Sequence, residues 1–109
     1  MTTTASTRYH FPSPISLAIA VIGSATTKHI VGSVDRYSAH RQSFCLYDRR
    51  TGAIAHLTIA RAPEGASMFT LMIRDVTTEP LHRHVTRTVR AFVRETQAPL
   101  TTVLAEQAA

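Results

Sequence analysis

Four arginines carry the most pointed chemical pattern in this 109-residue chain: Arg83, Arg87, Arg90 and Arg94, at spacings of four, three and four. On a helix those spacings gather the side chains into an arc of about 60°. A guanidinium is a planar fork that binds phosphate or carboxylate bidentately, so the pattern suits recognition of an anion. Like charges at these spacings each cost an isolated helix about 0.2–0.5 kcal/mol, which an anionic partner would relieve. Glu79, four residues before Arg83, neutralises part of the stripe. The bland alternative is a solvated helix face. Arg49 and Arg50 form a second basic pair, and Lys28-His29 and His40-Arg41 fall in loops or element ends.

The remaining reactive groups point to no reaction. Six histidines are present. His82 and His84 are two apart, so on a helix they diverge and cannot chelate together. No HxxxH, HExxH or CxxC spacing occurs, and no metal or cofactor is expected. Cys45 is the only cysteine. It needs a basic neighbour to become a nucleophile, and a cysteine within a strand is ordinarily inert packing. The seven acids are dispersed, and no glycine-rich phosphate loop follows any strand. The expectation is a protein that is not an enzyme.

Composition sets the frame for these groups. The length suits one domain, and 44% hydrophobic residues allow a core. With no tryptophan, four Phe and three Tyr, that core is mainly aliphatic. Twelve basic against seven acidic residues give a net charge of +5, and Lys28 is the only lysine. A codon bias toward arginine accounts for that ratio more readily than for four arginines on one face. A lone cysteine excludes an intrachain disulfide framework and fits a cytoplasmic setting. No apolar run approaches the roughly 20 residues of a membrane span. Ile15–Ile22, preceded by Arg8 and followed by Gly23-Ser24-Ala25, carries a weak signal-peptide pattern.

The elements that position the arginines read as follows. Residues 1–12 are polar and aperiodic, a flexible tail. Ser13-Pro14 is a helix start, with Ile15, Ala18, Ile19 and Ile22 on one face and Gly23 as the stop. The same run also alternates as a strand would; the cap favours helix. Strands follow at 30–37, 43–48, 53–61 and 67–74, with Ser38–Gln42 and Pro63-Glu64-Gly65 as turns. Asp48-Arg49-Arg50-Thr51-Gly52 is a hairpin turn, its glycine supplying a left-handed residue. Phe44, Leu46, Ala55, Leu57, Ile59, Phe69, Leu71 and Ile73 share one face of the sheet. Cys45, Tyr47, Ile54, Met68 and Met72 stand on the other, which needs cover from the first helix or from a second subunit. A long amphipathic helix over 78–97, capped by Thr78, buries Leu81, Val85, Val89, Phe92 and Val93 and displays the arginines. Pro99 ends it, and 98–109 form a docking turn or tail.

The expected fold is therefore one α+β domain over 13–97: an N-terminal helix, a four-stranded antiparallel meander, and a C-terminal helix packed on the sheet. The expected function is a homodimeric, non-enzymatic module whose Arg83, Arg87, Arg90 and Arg94 contact nucleic acid, with Arg49 and Arg50 as auxiliaries. The alternative is a protein-interaction module, an adaptor or a small inhibitor of the phage or plasmid accessory type. It would meet an acidic protein surface through the same stripe, or a partner through the outer sheet face.

Overall fold

A computed structural model describes residues 13–37, 40–61 and 68–104. The expected tail at 1–12, the turn at Pro63-Glu64-Gly65 and residues 105–109 lie outside that set. The elements run α1 (Pro14–Ala25), β1 (Ile30–Tyr37), β2 (Arg41–Asp48), β3 (Ile54–Arg61), β4 (Phe69–Arg74), α2 (Glu79–Thr96) and β5 (Leu100–Leu104).

The first helix starts where the cap signal placed it. Ser13 accepts the Ser16 N–H, Ser16 answers through its own hydroxyl to the Ser13 N–H, and Pro14 occupies the first turn. It runs past the expected stop at Gly23 to Ala25, because Thr26 satisfies its end: both its N–H and its hydroxyl donate to the Ile22 carbonyl. The buried face also differs from the expected one. Leu17, Ala18, Val21 and Ala25 are wholly enclosed, whereas Ile15 and Ile19 are 36% and 57% exposed. The helix is apolar nearly all round, so periodicity could not select its inner face. The segment with the leader-like pattern is thus a core element.

Strands β1 to β4 form the expected antiparallel meander. The hairpin between β2 and β3 closes through the Asp48 N–H to the Ala53 carbonyl and the Gly52 N–H to the Asp48 carbonyl, both 2.8 Å, with Gly52 at φ +80°. From that turn the register runs Tyr47 opposite Ile54, Cys45 opposite His56 and Ser43 opposite Thr58. Strand β2 begins at Arg41, so Gln42, expected in a turn, pairs with Ile59 and is completely buried. Alternation puts it on the same face as Phe44 and Leu46.

A fifth strand replaces the expected terminal turn. Leu100–Leu104 pairs parallel to β4, in register from Phe69 opposite Leu100 to Ile73 opposite Leu104. The geometry follows from α2, a crossover long enough to return the chain to the same edge in the same direction. Gln97, at φ 54°, ends α2 in the left-handed region, and the Pro99 carbonyl accepts the Phe69 N–H at 2.8 Å.

Both helices lie on one face of the sheet, and a single cluster joins their apolar sides to the inward rows of β2, β3 and β4. Gly32 marks how closely α1 approaches: a Cβ there would sit 2.6 Å from Ile22 Cγ2 and 3.2 Å from Leu46 Cδ2. Among the described residues the opposite face carries no helix, so α1 does not provide the cover considered from sequence. Among the described residues, no helix is long and apolar enough to cross a membrane.

Candidate functional site

The arginine stripe depends on how firmly α2 is oriented. Leu81, Val85, Val89 and Phe92 are buried on its inner side. Thr78 caps its start, accepting the Leu81 N–H at 3.4 Å. The entry is tied to the sheet, with Thr77 Oγ1 accepting the Ile54 N–H at 2.9 Å and the Thr77 N–H donating to the Ile54 carbonyl. His84 Nε2 lies 2.9 Å from the Ala25 carbonyl. A carbonyl only accepts, so this nitrogen carries the proton and links α2 to the end of α1. These contacts fix the rotation of the helix about its axis.

That rotation leaves Arg83, Arg87, Arg90 and Arg94 exposed together on the side away from the core. They surround an open basin of about 710 Å³ whose remaining lining is His82, Thr86 and Ala91. The Thr86 hydroxyl is shielded from solvent and has no hydrogen-bond partner among the described residues. Arg83 lies 3.6 Å from Glu79, with both side chains well exposed. Among the described residues no carboxylate pairs with Arg87, Arg90 or Arg94. At 1.5 Å rise per residue the stripe spans about 16.5 Å, the axial length of about five phosphates along one DNA strand.

Arg49 and Arg50 do not join this basin. They sit in the hairpin turn at the end of the sheet, where Arg50 Nε lies 3.8 Å from Asp48 Oδ1 and the Arg49 N–H donates to the His29 carbonyl. Asp48 is committed to the turn: the Arg50 N–H donates to its Oδ1 at 2.9 Å and holds the carboxyl below its usual range. The turn places this pair near the entry of α2, and the four helical arginines form the continuous feature.

A second group was not anticipated. On the bare sheet face, Cys45 Sγ is 3.1 Å from Asp35 Oδ2 and 3.4 Å from His56 Nδ1. The hairpin turn implies the Cys45–His56 pairing by counting back from Asp48 and Ala53, so that signal was available in sequence. Asp35 joins them only through the register of β1, across an irregularity between Val34 and Tyr37. The cluster borders a depression of about 180 Å³ that also touches Ser43, Thr58, Arg74 and Asp75. Its chemistry is quiet. Burial first, then the hydrogen bond to Asp35 and the charge of that carboxylate, push the Cys45 thiol up to about 11. At neutral pH it stays protonated and is a poor nucleophile. Among the described residues, no group of three or more His, Cys, Asp or Glu side chains is placed to hold a metal ion.

Comparisons of the chain with protein-family models, with curated proteins and with solved structures gave no match.

Proposed function

We propose that this chain is a non-enzymatic module that binds nucleic acid through the outer face of α2. The observation that carries the reading is the exposure of four guanidinium groups on one face of a helix whose opposite face is locked into the core. Of the four, only Arg83 has a carboxylate beside it among the described residues, and that pair is solvated. Such a surface attracts phosphates mainly by releasing counterions, and it positions the protein without reading bases. The Thr86 hydroxyl, which lines the same basin and has no partner among the described residues, is a further donor. Arg49 and Arg50 act as auxiliaries from the hairpin.

The test is a salt titration of fluorescent duplex by anisotropy, with wild type and Arg87→Gln/Arg90→Gln in parallel. Four phosphate contacts give a slope of log affinity against log salt near −3.6, at about −0.9 per contact. Glutamine is nearly as good a helix former, so the double variant keeps its fold and flattens the slope by about 2. Undetectable wild-type binding at ~50 mM salt and ~10 µM protein, conditions in which nonspecific binders register, would sink the proposal. An acidic protein partner would instead show as negligible DNA affinity together with loss of one specific complex in the double variant.

A further inference from the structure

We infer that the bare face of the sheet is a two-fold interface between two copies of this chain, closed by reciprocal Asp35–Arg74 pairs. Both helices occupy the other face, so this one presents Tyr47 at 43% exposure beside Val31 and Ile54, in a row fixed by the strand register. The next row runs Ser33, Cys45, His56 and Arg74. An apolar end centred on a tyrosine, beside a polar middle, is the composition of an interface more than of a solvated surface.

Charge identifies the occupant. Asp35 lies on β1 and Arg74 on β4, at opposite sides of the meander and both exposed. Among the described residues neither has an ion-pair partner; Asp35 accepts from the Cys45 thiol, and Arg74 Nη1 reaches only Met72 Sδ at 3.9 Å. A two-fold axis along the strands, between β2 and β3, lays β1 of one copy over β4 of the other. The row of Ser33 and Arg74 then lies over itself, and the Asp35 carboxylate, which leans onto Cys45 in that row, comes within reach of the partner's Arg74; the relation repeats on the other side, as an isologous contact requires. Tyr47 and Ile54, neighbours on β2 and β3, exchange places across the same axis. The arrangement is aligned sheet-on-sheet packing, with the sheets about 10 Å apart.

Four strands at about 4.8 Å spacing and about 24 Å of length give a flat footprint near 460 Å² per copy, before side-chain relief. That is the small end of specific interfaces, so micromolar self-association is expected. If α2 binds nucleic acid as proposed above, the dimer turns its two arginine faces outward on opposite sides; the interface itself does not depend on that reading.

The experiment is sedimentation equilibrium of the full chain from ~1 to ~100 µM without nucleic acid, which keeps this test separate from the binding assay. Wild type sediments as a dimer at the upper end. Asp35→Arg and Arg74→Asp each oppose like charges at two symmetric places and weaken association at least about ten-fold. The exchanged pair Asp35→Arg/Arg74→Asp restores it to within about three-fold. Circular dichroism checks the fold of each variant. Should a reversed charge disturb the strands, the neutral Asp35→Asn and Arg74→Gln weaken association by smaller factors. A monomer at ~100 µM, or an exchanged pair no tighter than its single variants, overturns the inference.

Discussion

Replacing Asp35 with Asn tests the electrostatics of the bare sheet face at its most sensitive reporter, the Cys45 thiol. In the wild type that thiol is raised from 9.0 to about 11. Desolvation is the largest cause, and it survives the substitution; the carboxylate's hydrogen bond and its charge do not. The inflection should therefore fall, yet stay above 9. The rate of alkylation by iodoacetamide reads it directly. Two pKa units leave about 100-fold less thiolate near pH 7.5 than an unperturbed cysteine has. The more basic thiolate regains about 6–10-fold in nucleophilicity at a Brønsted coefficient of 0.4–0.5, so the net reaction is about 10–15-fold slower. Mass spectrometry between about pH 7 and 11, at concentrations below self-association, gives the wild-type inflection near 11 and an earlier one in Asp35→Asn. The native thiol keeps its proton where the unfolded thiol has lost it. Its contribution to stability is accordingly complete below 9 and is lost as pH rises from 9 to 11. An inflection below 9 would be incompatible with a thiol raised by burial and by Asp35. It would mean that His56 holds Cys45 as a thiolate–imidazolium pair, and a nucleophilic role would have to be reopened.

Two core perturbations test the packing that orients the arginines. Phe92 is 5% exposed within the core cluster, so Phe92→Ala should cost about 3–5 kcal/mol in urea unfolding, and a loss below about 1 kcal/mol would show that α2 is rotated otherwise. Gly32→Val should cost about 1–3 kcal/mol or more, because its Cβ meets the branched Ile22 side chain; a variant as stable as wild type would mean that α1 does not press on β1 there.

The elements whose signals are local were legible in the residues alone. The serine–proline cap started α1, the Asp48–Gly52 turn set the hairpin register, and two-residue alternation divided β2, β3 and β4 into an inner and an outer row. The contrast around α2 fixed which side it buries, and with that the arginine face. Tertiary structure decided what local contrast could not. An α1 that is apolar nearly all round can bury any of its sides, and packing in the shared core enclosed Leu17, Ala18 and Val21 and left Ile15 and Ile19 exposed. Residues 100–104 carry too little pattern to announce a strand; they become one because β4 has an unpaired edge and α2 returns the chain to it. Asp35 reaches Cys45 through pairing across an irregular stretch of β1, a non-local event with no periodic signature. Both helices chose the same sheet face, which leaves the other without a helix among the described residues; that choice depends on contacts between distant segments, which one-dimensional spacing does not encode.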